Sequence, residues 1–339
     1  MNSSDTAGAP SALVTGATGF VGGHLVDELV RGGWRVTCLV RPTSDTRELA
    51  RRPVRLEAVS LPGAGAALAR IVSGHEIVFH LAGAVRARNA DEFRRANADV
   101  TGELGAACVT AAQPPRRFVL VSSVGAVGPA AGVAAVTDDQ PPRPVSDYGR
   151  SKLEGERRAL ALADRLHVVI VRPTVIYGPR DRELLVAFRL ARRGLVPLLG
   201  GREQVVSLAH VDDVVQALLR AATADVASGE AFLVGGPEEV SMVDLGARLC
   251  ALFGRRPIYL PLPRPLLRLA ALGAEGWAAL RRQPAMLTRQ KLPELWASWR
   301  LDLGHAGARL GYAPRWALAD GLRHALAWYR AAGWIAADG

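Results

Sequence analysis

The chain has 339 residues, of which 49% are hydrophobic and 22% charged, enough for one large globular domain or two smaller ones. Its three cysteines are far apart and show no CxxC spacing, which argues against a disulfide framework or a zinc site and predicts small buried hydrophobes. The formal charge of +10 comes mainly from arginines that read as scattered, without a basic stripe or an aromatic stacking platform. A nucleotide cofactor is therefore a simpler explanation for the positive charge than nucleic acid is.

The predicted elements begin after a polar N-terminus. Residues 1–10 predict a flexible tail without a signal-peptide pattern, so a cytoplasmic location is expected. Short apolar runs then predict strands at residues 12–15, 35–40, 54–58, 76–80, 117–122 and 168–171. Helical patterns lie between most of these runs, for example at residues 24–31, 90–112 and 148–163.

This alternation of strands and helices is typical of an α/β fold with a doubly wound parallel sheet of the Rossmann type. We predict that residues 11–175 form this domain. Beyond residue 175 the alternation loosens and Pro/Gly pairs become frequent. Residues 176–336 are therefore predicted to form mainly a smaller C-terminal substrate-binding lobe, with some segments returning to the sheet.

One segment of the predicted lobe, residues 258–282, is apolar and then helical in pattern. It is interrupted by prolines and charges and does not reach the roughly 20 apolar residues that a membrane span needs. A basic amphipathic helix can still lie on a membrane surface, so peripheral membrane contact is one interpretation. The alternatives are a helix that lines an apolar pocket and a dimer contact.

A glycine-rich turn follows the first predicted strand. Gly16, Gly19 and Gly22 have GxxGxxG spacing and precede a helical pattern. Gly16 permits a tight turn, Gly19 lets the backbone approach a pyrophosphate, and Gly22 lets the helix pack closely, while free N–H groups at the helix start face the anion. The pattern predicts a dinucleotide site formed by Gly16, Thr18, Gly19, Phe20, Val21 and Gly22.

The end of the second predicted strand bears on which nicotinamide cofactor binds. An acidic residue there would hold the 2′-hydroxyl of the adenosine ribose, but this chain has Arg41. A guanidinium suits a 2′-phosphate through a bidentate contact, so Arg41 favours NADP. Asp45 is close enough in sequence to keep NAD open.

Tyr148 and Lys152 form a YxxxK motif at the start of a predicted helix, where residues i and i+4 share a face. A lysine ammonium beside a phenol lowers the pKa of the phenol, and a stabilised phenolate can exchange a proton with a substrate alcohol or carbonyl. The chain contains only two lysines, so a chance match to this motif is uncommon. The motif predicts an acid/base centre.

Together these motifs resemble the extended short-chain dehydrogenase/reductase family, also called the NAD-dependent epimerase/dehydratase family. The resemblance covers roughly residues 12–334. Besides the glycine turn and YxxxK, it rests on Val78-Phe-His80-Leu-Ala-Gly83, Asn97, Val121-Ser-Ser123, Val171-Arg-Pro-Thr-Val-Ile-Tyr-Gly-Pro179 and Leu208-Ala-His-Val-Asp-Asp213.

The resemblance implies roles for residues of these motifs. Ser123, rather than its neighbour Ser122, would bind and polarise the substrate oxygen, and Tyr148 would be the acid/base. Lys152 would also hold the nicotinamide ribose, and Asn97 would support a proton-relay water. The residues implied to border the cofactor are Leu81, Ala82, Gly83, Ser122, Pro173 and Val175.

No metal site is expected. His80 is expected to be a structural histidine at a strand end, because no second histidine or carboxylate has metal-ligand spacing with it. In similar proteins the stretch from His210 to Asp213 begins a structural helix, with Asp212 as its cap.

Several departures from the family pattern concern the substrate. Thr174 stands where sugar-nucleotide members often have an asparagine, Ser60 stands near the place of a common aspartate, and Val127 replaces a common tyrosine. The C-terminal motifs 261–263, 287–291 and 310–314 resemble the hydroxysteroid-dehydrogenase-like and flavonol-reductase-like branches. These features favour an apolar carbonyl or alcohol substrate.

We therefore expect an NAD(P)-dependent oxidoreductase that moves a hydride between nicotinamide and a carbonyl or alcohol carbon of a small, apolar substrate. A nucleotide-sugar epimerase or dehydratase with tightly bound NAD stays open as an alternative. A non-catalytic NADP-binding scaffold or sensor is a third interpretation, because a fold does not determine a function. Many relatives are dimers, so the resemblance also implies a homodimer.

Overall fold

The structure is a computed structural model that describes residues 8–130, 132, 134–199, 204–281, 283–285 and 287–336. Residues 1–7 of the predicted tail lie outside the described residues. The strands are β1 (Ser11–Thr15), β2 (Arg35–Val40), β3 (Arg55–Ala58), β4 (Ile77–His80), β5 (Arg117–Val121), β6 (Val168–Pro173), β7 (Val175–Tyr177), β8 (Leu195–Leu199), β9 (Val205–His210), β10 (Ala231–Val234), β11 (Glu239–Ser241) and β12 (Ile258–Leu262).

The helices connect these strands. They are α1 (Phe20–Arg31), α2 (Ala66–Val72), α3 (Ala90–Phe93), α4 (Val100–Thr110), α5 (Val124–Val127), α6 (Asp147–Leu160), α7 (Leu185–Ala191), α8 (Val211–Thr223), α9 (Met242–Ala251), α10 (Arg264–Leu280), α11 (Leu292–Trp296), α12 (Gly304–Leu310) and α13 (Leu318–Ala331). A 3-10 turn spans Leu49–Arg51, and a π-helical turn spans Arg94–Asp99. The predicted helix at residues 90–112 is thus divided by the π-helical turn.

The main sheet has seven strands in the order β10-β6-β5-β4-β1-β2-β3, and all neighbours are parallel. Every residue of β1, β4 and β6 is buried, as expected for a parallel sheet that is covered on both faces. The predicted α/β fold class is therefore confirmed. The six predicted strands agree with β1–β6 to within two residues at either end.

Helices cover both faces of this sheet. On one face, Leu25 of α1 and Leu218 of α8 belong to the same buried cluster as Val14 of β1. On the other face, Leu68 of α2 and Leu104 of α4 pack with the opposite side of the sheet. The carboxyl ends of the strands therefore open at one edge, where ligands bind in folds of this type.

The C-terminal part forms smaller sheets around its own core. Strands β7, β9 and β11 form one sheet, and β8 and β12 form a parallel pair. Their shared cluster includes Tyr177, Phe188 and Tyr329. Two segments that follow residue 175, α8 and β10, lie in the layers of the main sheet. The exact division into two domains stays a prediction.

Two further expectations concern cysteines and membranes. Cys38, Cys108 and Cys250 are buried and free, as expected of small hydrophobes. None of the helices in the described part of the chain is long and apolar enough to cross a lipid bilayer.

Candidate active site

The glycine-rich turn joins β1 to α1 with very close backbone packing. Gly16 has a φ of +74°, and a Cβ there would lie 2.7 Å from the carbonyl carbon of Leu81. A Cβ on Gly22 would lie only 2.1 Å from the carbonyl oxygen of Gly16. Side chains at these two positions would clash with neighbouring backbone, so glycine is required for the close packing of strand, turn and helix that a pyrophosphate site needs.

The start of α1 is open to an anion. Gly19 is the N-cap residue and supplies no side-chain hydrogen bond, so first-turn N–H groups of α1 lack a side-chain cap. Thr18 and Gly19 are exposed, while Phe20 and Val21 are half-buried in the first turn. These four residues occupy the places that the sequence predicted for cofactor contacts, and the contacts themselves stay a prediction.

Arg41 follows β2 directly and is exposed. Its backbone N–H donates to Ser44 Oγ at 3.2 Å, and the Ser44 N–H donates to the Arg41 carbonyl at 2.9 Å, which closes a turn. The competing acid, Asp45, accepts a hydrogen bond from Arg47 Nη2 at 2.6 Å. The arginine is presented at the strand end, whereas the nearby carboxylate is already paired.

His80 links the end of β4 to the rest of the site through a chain of hydrogen bonds. The Ala82 N–H donates to Thr15 Oγ1 at 3.1 Å, and Thr15 Oγ1 lies 2.7 Å from His80 Nδ1. His80 Nε2 lies 3.0 Å from Thr101 Oγ1, which donates to the Asn97 carbonyl at 2.6 Å. Each hydroxyl has one proton, so the chain assigns the hydrogen of the ring to Nε2.

Complete burial, together with the nearby Lys152 ammonium, lowers the pKa of His80 to about 3. The ring is therefore neutral. Its two nitrogens are bonded within the chain, which fits the structural role predicted for this histidine.

The Asn97 side chain lies in the π-helical turn and is occupied by protein partners. Its Oδ1 accepts a hydrogen bond from the Ala84 N–H at 2.7 Å. Its Nδ2 donates to the Ala84 carbonyl at 3.0 Å and to Ser151 Oγ at 2.8 Å. These contacts fasten the loop after β4 to the helix that carries Tyr148 and Lys152. The predicted relay water stays a prediction.

The loop at residues 81–83 packs against two of the predicted site residues. A Cβ built on Gly83 would lie 2.7 Å from Asn97 Oδ1 and 3.5 Å from Lys152 Nζ. Lys152 Nζ itself donates to the Val121 carbonyl at 2.7 Å. The predicted nicotinamide border and the predicted catalytic lysine are therefore neighbours.

The structure brings Ser123 and Tyr148 together at the carboxyl end of β5. Ser123 is the N-cap of α5, and its Oγ accepts a hydrogen bond from the Gly125 N–H at 3.1 Å. A hydrogen bond with Ser123 also lowers the pKa of the Tyr148 phenol. Ser122 Oγ is buried and has no hydrogen-bond partner among the described residues. Of the two serines, Ser123 contacts the tyrosine, while Ser122 offers an unpaired hydroxyl that a cofactor could use.

The expected effect of Lys152 on Tyr148 is not found. Burial raises the pKa of Tyr148 to about 12, and the carboxylate of Glu294 contributes to the increase. Lys152 is not among the groups that shift the pKa of Tyr148, and burial lowers the pKa of Lys152 itself to about 8. The physical reason is that the ammonium is bonded to the Val121 carbonyl, while the phenol is buried beside a carboxylate.

Glu294 is a residue of the site that the sequence did not indicate. It lies on α11, and its Oε1 accepts a hydrogen bond from Ser146 Oγ, the N-cap of α6. A Cβ built on Gly125 would lie 3.4 Å from Ser123 Oγ, 3.6 Å from Glu294 Oε1 and 3.6 Å from Tyr148 Cε1. The three side chains therefore surround one glycine, and burial raises the pKa of Glu294.

The residues at the end of β6 and after it differ in their exposure to solvent. Pro173 is buried at the strand end, and Val175 is 48% exposed. Thr174 is buried, and its hydroxyl donates to the Ser207 carbonyl at 3.0 Å. The threonine that replaces the common asparagine is thus committed to the backbone of β9.

The expectation that Asp212 caps α8 is wrong. The N-cap is His210, whose Nδ1 accepts a hydrogen bond from the Asp212 N–H at 3.2 Å, because Asp212 already lies within the first turn. His210, Asp212 and His324 form a group with metal-ligand spacing. His210 Nδ1 is an acceptor here, so Nε2 carries the hydrogen and donates to His324 Nδ1 at 3.2 Å. Both nitrogens of His210 are therefore engaged in a structural network.

The model of the NAD dependent epimerase/dehydratase family matches residues 12–235 of this chain. The chain belongs to this family. The assignment made from the sequence motifs is thereby confirmed, and the protein is an NAD-dependent enzyme of the extended short-chain dehydrogenase/reductase type.

Individual members of the epimerase/dehydratase family resemble this chain over nearly its whole length. It is 32% identical over 325 residues to the ceramide reductase of Caulobacter vibrioides (strain NA1000 / CB15N), which covers 95% of each chain. It is 31% identical over 331 residues to the 4-hydroxy-2-methyl-3-oxo-4-farnesyl-3,4-dihydroquinoline-1-oxide ketoreductase of Stigmatella aurantiaca, covering 91% of this chain and 94% of that protein.

A solved structure, "MoeE5 in complex with UDP-glucose and NAD", is also similar. It is 31% identical, covers 95% of this chain and 99% of its own, and superposes with a TM-score of 0.74. Both branches of the family, reductases and proteins that bind sugar nucleotides, are thus represented among similar proteins.

Proposed function

We propose that this protein reduces a carbonyl group on an apolar, lipid-like substrate, using NADPH or NADH. The observation that carries the proposal is the contact between Ser123 and Tyr148 beside Lys152. Two similar proteins bear the names of reductases, and their names refer to a ceramide and a farnesyl-substituted ring, both of which have long apolar chains.

The protein groups can perform the proton half of this reduction. The Ser123 hydroxyl would donate a hydrogen bond to the substrate carbonyl oxygen, which polarises the carbonyl. As the carbonyl carbon gains a hydride, its oxygen becomes basic, and the Tyr148 phenol would donate its proton to that oxygen. The raised pKa of Tyr148 supports this direction, because a phenol with a pKa of about 12 is fully protonated at neutral pH. Lys152 is bonded to the Val121 carbonyl and is not among the groups that shift the pKa of Tyr148, so its proposed role is to hold the nicotinamide ribose.

The nicotinamide cofactor supplies the hydride when it is bound. The glycine turn would hold its pyrophosphate, and two observations support this fit: the close backbone packing that only glycine permits at Gly16 and Gly22, and the first turn of α1, which has no side-chain cap. Ser122 Oγ and Lys152 Nζ would contact the nicotinamide half, and Arg41 would contact a 2′-phosphate. These residues suit NADP and leave NAD open.

Nucleotide-sugar epimerisation is the second candidate, and the similarity to MoeE5 favours it. The same acid/base centre would then oxidise a sugar transiently and return the hydride to it. Thr174 supports the reductase instead, because its side chain is buried and its single hydroxyl proton is already donated to the Ser207 carbonyl, so it cannot donate to a sugar nucleotide as an asparagine would. The carboxylate of Glu294, on α11 of the C-terminal lobe, also lies beside the acid/base centre formed by Ser123 and Tyr148.

The test uses the purified protein with NADPH or NADH and a long-chain aliphatic ketone, and follows the cofactor absorbance. Tyr148→Phe is expected to lower turnover by about 10²–10⁴-fold and to keep cofactor affinity. Tyr259→Phe, an exposed tyrosine on β12, is the matched control and should keep full turnover. Unchanged turnover in Tyr148→Phe would contradict the acid/base role. Conversion of UDP-glucose to UDP-galactose without net cofactor consumption would favour the epimerase.

We further propose a cytoplasmic location and a homodimer, in line with the family resemblance. Light scattering of the purified protein tests the second proposal, and a concentration-independent monomer would contradict it.

A further inference from the structure

Helix α10 bears an apolar surface that no part of the described chain covers. Of its residues only Leu267 and Ala271 are buried. The larger apolar side chains elsewhere on the helix are exposed, and Leu280 reaches 78%. These side chains, called here the α10 surface, are Leu266, Leu269, Leu272, Trp277 and Leu280.

The spacing places most of this surface on one side of the helix. At about 100° per residue, Leu266, Leu269, Trp277 and Leu280 fall within an arc of roughly 80°. The buried Leu267 and Ala271 fall on roughly the opposite side. The helix therefore packs on the protein through one face and presents a second apolar face to its surroundings.

The exposure is concentrated in this part of the chain. Thirteen large hydrophobic side chains are exposed among the described residues, and eight of them lie in residues 258–280. The other five are single residues outside this segment: Leu56, Val85, Leu160, Val175 and Val186. Singly exposed hydrophobics are ordinary, whereas a cluster of this kind marks an interaction surface.

The same region carries most of the net charge of the protein. Residues 254–291 contain eight basic side chains and one acidic one, a formal +7 of the +10 of the whole chain. The charge is thus less scattered than the composition suggested. The acid, Glu275, accepts a hydrogen bond from Arg289 Nε at 2.9 Å. The basic residues are Arg255, Arg256, Arg264, Arg268, Arg281, Arg282, Arg289 and Lys291.

Arginines flank the aromatic residues of this region. The guanidinium of Arg281 lies over the Trp277 ring, 4.4 Å from its centroid, and Arg264 lies 4.6 Å from the centroid of Trp296. Tryptophan and arginine side by side are typical of the boundary between lipid headgroups and acyl chains.

We propose that α10 docks on the surface of an anionic lipid bilayer. Leu266, Leu269, Trp277 and Leu280 enter the boundary between headgroups and acyl chains, and Arg281, which stacks on Trp277 beside this face, contacts lipid phosphates. A second copy of the chain fits this surface less well, because a symmetric pairing would bring two segments of charge +7 together. The helix has 17 residues and includes Arg264, Arg268 and Glu275, so it lies on the bilayer without crossing it.

The docked helix is adjacent to the candidate active site. Leu267 and Ala271 of α10 share a buried cluster with Leu292 of α11, and α11 also carries Glu294 beside Ser123. Docking would therefore bring the site close to the bilayer, where a lipid-like carbonyl compound is concentrated. This link to catalysis rests on the proposed function, whereas the docking itself rests on the surface alone.

The test measures co-flotation of the full-length protein with vesicles. Vesicles of phosphatidylcholine alone are compared with vesicles that also contain phosphatidylglycerol. Binding is expected to the second kind and to weaken with salt. The double variant Leu269→Gln/Leu280→Gln should bind at least about tenfold more weakly, since it removes apolar area that the bilayer would bury. The matched control, Leu160→Gln/Val186→Gln, changes two exposed apolar residues elsewhere and should bind as the wild type does.

Each outcome decides the proposal. Failure of the wild-type protein to bind the phosphatidylglycerol vesicles, or equal binding by the Leu269/Leu280 variant, overturns it. So does lipid-free self-association that the same variant abolishes, because the occupant is then a second copy. Cofactor titration and circular dichroism confirm that the variants are folded. Vesicle binding needs no turnover, so a protein that binds vesicles but reduces no ketone would overturn only the proposed function.

Discussion

Ser146 joins the catalytic helix to the C-terminal lobe through Glu294. The Ser146 hydroxyl donates a hydrogen bond to Glu294 Oε1 and accepts one from the Gly149 N–H at 3.0 Å. The same side chain therefore caps α6, which carries Tyr148, and holds a carboxylate of α11 next to it. The C-terminal lobe therefore contributes a charged side chain to the acid/base centre.

Replacing Glu294 with glutamine is expected to lower the pKa of Tyr148. The amide keeps an oxygen that can accept from Ser146, but it removes the negative charge that raises the pKa of the phenol. Oxidation of the alcohol product needs the phenolate, so at about pH 9 it should become several-fold faster. The measurement is the pH profile of alcohol oxidation with saturating oxidised cofactor.

Glu239→Gln is the control for the Glu294 variant, because Glu239, on β11, pairs with Arg300 and is not among the groups that shift the pKa of Tyr148. Its profile should match that of the wild type. An unshifted profile in Glu294→Gln would show that the carboxylate does not act on Tyr148.

Gly22 and Gly23 are adjacent glycines of α1 with opposite expectations on substitution. A Cβ on Gly22 would lie 2.1 Å from the Gly16 carbonyl oxygen, so Gly22→Ala must displace the phosphate-binding turn. It should weaken cofactor binding by about 100-fold and destabilise the protein by roughly 1–3 kcal/mol. A Cβ on Gly23 would meet only Arg180 Nη1 at 3.4 Å and the Ala17 carbonyl oxygen at 3.8 Å. Gly23→Ala should bind cofactor normally and can gain up to about 1 kcal/mol of helix stability.

Fluorescence titration with cofactor and urea unfolding measure both variants. Normal cofactor affinity in Gly22→Ala would contradict the assignment of this turn to the pyrophosphate.

The sequence predicted the main sheet well, because buried parallel strands are continuous apolar runs and need only local information. It missed β10, which is four residues long and lies between short loops. Its pairing with β6 is a contact between segments about 60 residues apart that no local pattern reveals.

The candidate site was predictable where a motif carries it and not elsewhere. The glycine turn and YxxxK combine residue type with spacing, so they could be read directly. Glu294 belongs to no such motif and reaches Ser146 only through tertiary packing. The cap of α8 was assigned to Asp212 instead of His210 because the two residues differ only in where the first turn begins. The raised pKa of Tyr148 depends on burial, which spacing alone does not give.

Arg41 is expected to select NADPH. Its side chain is presented after β2 and can pair with a 2′-phosphate, a charge-assisted contact. Arg41→Ala should weaken NADPH binding by about 10–100-fold and leave NADH binding unchanged. Arg47→Ala is the matched control, because the Arg47 guanidinium already pairs with Asp45. Titration of each variant with both cofactors checks this, and equal losses in the two variants would point to general charge attraction.

We expect Asp138 to make the stability of the protein depend on pH. Its carboxylate lies 3.8 Å from Arg172 Nη1, but Arg172 already donates to both carboxylate oxygens of Glu156, at 3.0 and 2.8 Å. Burial therefore raises the pKa of Asp138 to about 6 from 3.8. Because the folded-state pKa is the higher one, the native state holds this proton more tightly, and its contribution to stability is lost as pH rises from about 4 through about 6.

Asp138→Asn removes that titration and is expected to stabilise the protein by roughly 1–3 kcal/mol near pH 8, with the advantage fading toward about pH 4. Asp139→Asn is the neighbouring control, because Asp139 is exposed to solvent and its pKa is lowered by a hydrogen bond with Thr137. Urea unfolding of both variants and the wild type across this range measures the difference. A constant difference between Asp138→Asn and the wild type at all pH values would mean that folding does not change the pKa of the Asp138 carboxyl group.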